Sequence, residues 1–524
     1  MKKRKKMRKI LKRAIFAAAL SGFVCALILS MSFSFFAKAE TAVKTIDMYL
    51  IAGQSNAAGE SYATNVSGTF DNVLYAGETN CSMSSGSASS RYMTYPYISV
   101  KKGLGTNANC IGPEFGMAKY LNGIYTADNK ALIFKSAAGG VSLCNETPSD
   151  ADANHGNWYP DRTGNTFKGG QYRRFIQNFF TVVNDLKTHG YEPVVKAFVW
   201  MQGEADIWGT NATRYTSVFT EFCRSMREDL GNILTKTYEE MLDMPFIVGE
   251  ISPTGGYGRS GYNRATNEAF IEIQRGFPDV IPNVKVVKSS AFDTDIANDN
   301  VWHWSGEDMV TIGEMFARAA VGDETYDIVS FDKMKNGNVA AAFNADKTAI
   351  EFTITPNRGY KLGSLEVNGT DVTSAVKDFK YSVPYRTGDE FTVELNCVAL
   401  PRYDVNYYYQ KNLASVDGPD YVYEGEILSV KITLRTDATV SSVTLNGTEM
   451  SYNAQTQAYE AAATEDCEVR ITFNKAEESG NQSESSENET QDGDGGSKGC
   501  SKSDALLIAS ILGTLAASVF LLRK

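Results

Sequence analysis

Thr45-Ile-Asp-Met-Tyr-Leu-Ile-Ala-Gly-Gln-Ser-Asn56 decides the fold class. Residues 46–52 form a short, almost wholly apolar run that breaks at Gly53 into a polar turn. A strand covered on both faces reads as such a run. Four more runs of this kind follow at 131–136, 194–201, 245–251 and 284–288. Helical patterns alternate with them at 113–121, 172–187, 212–230, 263–275 and 307–320. Pro113 suits a first helical turn, and Ser305 is placed to cap the last helix. Strand and helix in alternation predict an α/β domain, a parallel sheet with helices on both faces, over residues 40–322.

In an open parallel sheet, the loops leaving the carboxyl ends of the strands converge on one crevice. Gly53-Gln54-Ser55-Asn56 occupies the first such end. A serine in a sharp strand-to-helix turn offers its hydroxyl to the crevice and its backbone N–H to an oxyanion. Ala57 stands where the Gly-x-Ser-x-Gly elbow has its last glycine, so this is a different turn. Taken alone, the tetrapeptide reads equally well as a surface turn. Ser136-Ala-Ala-Gly-Gly140 follows the second run, and its glycines allow backbone N–H groups close to an anion. An ordinary βα loop has the same composition. Trp200-Met-Gln-Gly-Glu-Ala-Asp206 closes the third run, where Gln202 offers an amide donor. Glu204 there is either an orienting carboxylate for a histidine or a solvated loop acid.

Three histidines compete for the role of general base: His155, His189 and His303. His189 ends a helical run beside Gly190, a structural position. His155 lies in a polar loop and is a candidate substrate contact. His303 lies in Asp299-Asn-Val-Trp-His-Trp-Ser-Gly306, ahead of the closing helix, and is the candidate base for Ser55.

These runs, in this order and together with Gly112-Pro-Glu-Phe-Gly116, resemble the blocks of the SGNH hydrolase superfamily. Within it they are similar to the sialate O-acetylesterase and acetylxylan-esterase branch, over about residues 45–320. The resemblance implies a flavodoxin-like three-layer fold, hydrolysis of acetyl esters on carbohydrate, and no metal or organic cofactor. It makes Ser55 the nucleophile and His303 the base, with the Ser55 and Gly140 amides and the Gln202 side chain as oxyanion donors. The family often places an acid three residues before the histidine, but here that place is Asn300. Asp299, four residues before, and Glu204 are the two candidates for the orienting acid, with a slight preference for Glu204. Gln54 and Asn56 flank the nucleophile and are candidate sugar contacts. Tyr92, Tyr95, Tyr97, Trp158 and Tyr159 are available to stack on a sugar, or to cover the core as lids.

The termini suggest export. Nine basic residues between Lys2 and Arg13, an apolar stretch to Phe36 and then Ala37-Lys-Ala39 make a signal peptide over 1–39, with an uncleaved anchor as its rival. Residues 505–522 are apolar and end on Arg523-Lys524, which suits a membrane anchor over 504–524. Residues 475–503 read as a disordered acidic linker. The formal charge of the chain is −11, and residues 1–39 carry ten basic and no acidic side chains, so the remainder is near −21. Such a polyanion disfavours nucleic acid as a partner. Eight cysteines show no zinc-ligand spacing, and Cys81–Cys110 is the favoured pairing if a disulfide forms.

After Gly322 the pattern changes to period-two alternation. Gly363-Ser-Leu-Glu-Val-Asn-Gly-Thr370 is echoed by Ser441-Ser-Val-Thr-Leu-Asn-Gly-Thr448, and Asn-Gly between strand-like segments signals a hairpin. Two small β-sandwich-like modules, 323–398 and 399–474, are expected. They loosely resemble repeat modules of bacterial surface proteins, as on a Gram-positive cell. A non-catalytic, carbohydrate-binding adhesin and a structural stalk are the rival readings of the whole.

Overall fold

The computed structural model describes residues 44–79, 90–145, 157–160, 169–435 and 438–474. The expected signal peptide, acidic linker and membrane anchor lie outside these residues, as do His155 and Cys81.

Six strands form the parallel part of an eight-stranded sheet. They are β1 (Lys44–Gly53), β2 (Thr69–Thr79), β3 (Ala131–Lys135), β4 (Tyr191–Met201), β5 (Phe246–Gly249) and β6 (Val284–Val287). Their order is β6-β5-β4-β1-β3-β2, with Ser90–Tyr92 and Ile98–Lys101 pairing antiparallel to β2. Without β2, the other five run 2-1-3-4-5 in chain order. The winding therefore reverses between β1 and β4, and a switch point of this kind opens a crevice at the carboxyl ends. β2 has no counterpart among the expected strands. Its first four residues, Thr69-Phe-Asp-Asn72, are mostly polar and at least partly exposed, and continuous burial starts only near Tyr75.

Six helices matter for the layers and the site: α1 (Ser55–Ala58), α2 (Pro113–Leu121), α3 (Gly170–Thr188), α4 (Gly209–Leu234), α5 (Arg264–Arg275) and α6 (Gly306–Val321). β1 shows how they are layered. Met48, Leu50 and Ala52 share a core with Phe175 and Phe179 of α3 and Phe219 and Phe222 of α4. Tyr49 and Ile51, pointing the other way, join Phe115 of α2 and Ile312 and Phe316 of α6. The apolar run is continuous because both faces of the strand are buried. Asn263 and Ser305 cap α5 and α6 by accepting the N–H groups of Thr266 and Asp308.

A buried ion pair braces the base of α1. Lys135 ends β3 with its side chain 1% exposed, and its ammonium lies 2.8 Å from Glu114. It also donates to the carbonyls of Ala58, at 3.0 Å, and Leu104, at 2.9 Å. Glu114 in turn accepts the Gly112 N–H at 2.9 Å. The Gly112-Pro-Glu-Phe-Gly116 run is thus tied, through one lysine, to the last residue of α1.

The core on the α6 side continues into a β module through Val329, Val339, Ala341, Ile350 and Phe352. Its strands are β7 (Val329–Lys335), β8 (Gly337–Phe343), β9 (Ala349–Pro356), β10 (Tyr360–Val367), β11 (Lys380–Pro384) and β12 (Phe391–Ala399). β7, β12 and β10 lie side by side in one sheet, and β8, β9 and β11 form another. β9 shows the alternation clearly, with Ile350, Phe352 and Ile354 buried between exposed Glu351, Thr353 and Thr355.

The chain divides into two compact units. One runs to Asn406 and also holds Gly418–Ser429 and Glu460–Cys467. The other comprises Tyr407–Asp417, Val430–Tyr459 and the described residues from Glu468. Within the second, 439–445 pairs with 469–474, and 414–417 with 431–434, all antiparallel. The echoed Asn-Gly dipeptides form matching turns: Val367 pairs with Thr370 and Leu445 with Thr448. Both residues of each turn have positive φ, the geometry of a two-residue type I′ hairpin. Cys110, Cys223, Cys397 and Cys467 are buried free thiols.

Replacing Lys135 by Met strands the Glu114 carboxylate in the core. The variant is expected to lose about 3–5 kcal/mol of stability, read as a lower urea midpoint at unchanged slope.

Candidate active site

β1 and β4 run out together at the switch point. Gly53 has φ +141°, and a Cβ there would lie 1.9 Å from the Met201 carbonyl oxygen, so no other residue fits. The Gln54 N–H donates to that same oxygen at 2.8 Å. Ser55 follows as the first residue of α1, partly exposed between buried Gln54 and Asn56. The loop after β3 comes in from the other side. A Cβ on Gly139 would lie 3.7 Å from Ser55 Cβ and 2.9 Å from Glu60 Oε1. Gly140 is exposed, with φ +72°.

His303 sits on the loop before α6 with its side chain 12% exposed. Its Nδ1 is 2.8 Å from Asn300 Oδ1. The other end of that amide donates to the Glu60 carbonyl at 3.4 Å. This sets the amide orientation, so we assign the hydrogen to Nδ1 and the lone pair to Nε2. Nε2 lies 3.5 Å from Glu60 Oε2. Burial pushes the imidazole pKa down to about 4 and raises that of Glu60 above the usual carboxylate value.

Neither expected acid reaches the ring. Asp299 is exposed, in a left-handed conformation at the end of the single turn Ile296–Asn298. Asp295 N–H bonds the His303 carbonyl at 2.8 Å, and residues 295 and 300 form a bridge, so the loop doubles back tightly. That turn presents the residue three before the histidine to Nδ1, and here it is Asn300. Glu204 is buried, and its Oε1 accepts from Asn56 Nδ2 at 2.8 Å. The same Asn56 nitrogen reaches the Trp302 carbonyl at 3.5 Å. Glu204 therefore bears on the histidine loop through Asn56, and burial raises its pKa.

Several other expected contacts prove to be framework. Both amide hydrogens of Gln202 are committed, to the Val141 carbonyl at 3.1 Å and to Asp206 at 2.8 Å, and Tyr215 donates to its oxygen at 2.6 Å. As placed, it has no N–H left for an oxyanion. Gln54 is buried and turns its oxygen to the Gly203 and Ala205 N–H groups. Asn56 is buried, and its side-chain nitrogen is committed to Glu204. Trp158 is fully buried against Trp200, Phe175 and Phe222, and donates to the Gly53 carbonyl at 3.1 Å. Tyr159 is half-buried, with the Arg214 guanidinium 5.6 Å from its ring. Tyr95 and Tyr97 lie by Lys44 and Tyr191, where β1 and β4 begin, at the end of the sheet opposite Ser55. Tyr92 packs on Tyr75. His189 stacks on Tyr95 and bonds the Asp185 carbonyl at 2.8 Å, in keeping with a structural role.

Three residues that pattern reading passed over shape the site. Asp206 gathers Gln202, Asn211, the Leu143 N–H and the Ser142 hydroxyl, joining the loop after β3 to the loop after β4. Asn300 registered in the sequence only as the loss of an acid. Glu60, five residues beyond Ser55, carries no local signal. Together the groups can do acyl-transfer chemistry: a hydroxyl at a turn, a neutral imidazole with a fixed tautomer, and glycine N–H groups nearby.

A family model described as a carbohydrate esterase, sialic acid-specific acetylesterase, matches residues 45–322, just over half of the 524 residues. Among solved structures, a protein from Arabidopsis thaliana aligns at 16% identity over 53% of this chain and 99% of its own, with a TM-score of 0.36. NanS aligns at 14% identity over 53% and 97%, with a TM-score of 0.39. A carbohydrate acetylesterase from Xanthomonas citri aligns at 15% identity over 62% and 65%, with a TM-score of 0.32. No curated protein matches by sequence.

A general base must be neutral to act. Since burial keeps His303 neutral down to about pH 4, kcat/KM for ester hydrolysis should stay on its plateau below pH 6.5 and fall as pH drops through about 4. Asp299→Asn should leave kcat within about twofold. Asn300→Ala should lower it by about 10- to 100-fold, part of the 10²–10⁴ that a positioned base contributes.

Proposed function

Because the chain belongs to the sialic acid-specific acetylesterase family of carbohydrate esterases, we propose that it removes O-acetyl groups from carbohydrate at the cell surface, with Ser55 as nucleophile. It is a carboxylic-ester hydrolase of the SGNH, sialate O-acetylesterase-like kind, and its substrate is an acetylated carbohydrate. The observation that carries the site assignment is the contact of His303 Nδ1 with the Asn300 amide oxygen, from which the tautomer is assigned. Asn300 holds Nδ1–H, which leaves the Nε2 lone pair free to take a proton.

The reaction runs in two halves. Ser55 Oγ attacks the acetyl carbonyl carbon while its proton passes to His303 Nε2. The carbonyl electron pair moves onto oxygen, where the Ser55 and Gly140 N–H groups receive it. One such donor is worth about 10²–10³ in kcat. Collapse expels the sugar oxygen, which takes the proton from Nε2, and water then clears the acetyl-enzyme by the same steps. Because the Gln202 amide is tied to Val141 and Asp206, the oxyanion rests on the two backbone donors.

The surface placement rests on the sequence of the two termini. The signal peptide sends the chain out, the apolar tail holds it in the membrane, and the acidic linker and β modules space the head from the cell. The sugar remains one of several acetylated candidates: sialic acid, xylan, pectin or an amino sugar.

Acetate release from a panel of these esters by the purified chain tests the reading. Turnover on at least one is expected, falling to background in Ser55→Ala; no turnover on any would leave a glycan-binding adhesin. The mature protein should begin at Glu40, as read by N-terminal sequencing.

A further inference from the structure

The imidazolium that forms when His303 takes the serine proton has an unusual setting. In a serine triad, a buried carboxylate on the far ring nitrogen stabilises that charge. Here the far nitrogen meets the neutral amide of Asn300, at 2.8 Å. The ring is also well buried, which disfavours its charged form. An uncompensated imidazolium would make the transition state costly to reach.

One carboxylate among the described residues does reach the ring, and it does so from the reacting side. Glu60 Oε2 is 3.5 Å from Nε2, with its side chain 30% exposed. Its other oxygen lies against Gly139, 2.9 Å from where a Cβ would be, on the wall that faces Ser55. Among the described residues, no lysine or arginine pairs with Glu60. The Glu60 backbone is itself held by Asn300, so both partners of the imidazole come from one small hydrogen-bonded group.

We infer that Glu60 takes over the electrostatic work of the missing triad acid, stabilising the His303 imidazolium from the Nε2 side while Asn300 only orients the ring. The inference rests on the esterase reading above. In each half-reaction the proton moves from Ser55 Oγ, or later from water, to Nε2 and then on to the leaving oxygen. Glu60 remains a carboxylate throughout and forms no bond. Its charge counts only while Nε2 carries the proton, so it lowers the barrier without tightening ground-state binding.

The test uses the full chain, with acetate release from a small neutral ester as the readout and thermal melting as the check on folding. Glu60→Gln keeps the shape and removes the charge. It is expected to lower kcat by about 10- to 100-fold with KM nearly unchanged, the pattern of an interaction made only in the transition state. Glu60→Ala should behave alike, which covers the case in which the Gln variant does not fold. Asn300→Asp in the Glu60→Gln background returns a carboxylate to the ring from the Nδ1 side, and should recover at least about tenfold in kcat. A folded Glu60→Gln enzyme with wild-type or higher kcat would overturn the inference. So would a loss that appears wholly in KM, or a folded double variant with no recovery. Failure of the esterase reading is a separate result, since the wild-type chain would then release no acetate from any ester.

Discussion

Everything at the site depends on how closely β1 passes β4. Gly53 presses on the Met201 carbonyl, and the Gln54 N–H bonds to it. The two strands on either side of the winding reversal are thereby locked at their last residues. The turn that starts α1 can then leave in one direction only. Trp158 reinforces the same point from below by bonding the Gly53 carbonyl. A side chain at position 53 would force the strands apart and carry Ser55 with them.

The polar residues around that junction are mostly framework. Gln54, Asn56, Gln202, Glu204 and Asp206 are all buried, and they bond mainly to one another and to backbone groups of neighbouring loops. Buried polar groups demand partners, and a network in which they find them fixes loop positions more tightly than apolar packing does. The short motifs therefore hold the loops against one another so that a few groups left outside the network can act. Ser55, Gly140 and His303 are those groups, and each stands at the edge of the network rather than within it.

The histidine loop shows the same division. Its doubling back through Asp295 and His303 makes position 300, not 299, the neighbour of Nδ1. An asparagine there can orient the ring but brings no charge. Burial of the ring makes the lack of charge matter more, and among the described residues the carboxylate that reaches it is that of Glu60, in the same segment as the nucleophile. Orientation and charge compensation, which one aspartate supplies in the usual triad, are here separated between two residues.

Much of the fold was legible in sequence because burial on both faces writes itself as continuous apolar runs. All five expected strands and all five expected helices are present, within a few residues at their ends. The echoed Asn-Gly turns were legible for a similar reason, since few residue pairs suit their backbone. β2 was not, because a strand half exposed at its start has no clean period. Ser55 and His303 could be picked out, one by its turn and the other by the scarcity of histidines. What the sequence could not decide was direction. Whether an amide in a motif points into a crevice or into a neighbouring loop depends on partners far along the chain, as Gln202 and Asp206 depend on residues 141–144. The same holds for Glu60, whose approach to His303 spans 243 positions. Sequence alone determined which elements form and which chemistry is on hand. Only the tertiary structure decided which polar groups are spent on holding the loops and which remain for the reaction, because that depends on distances between strand ends that no local pattern encodes.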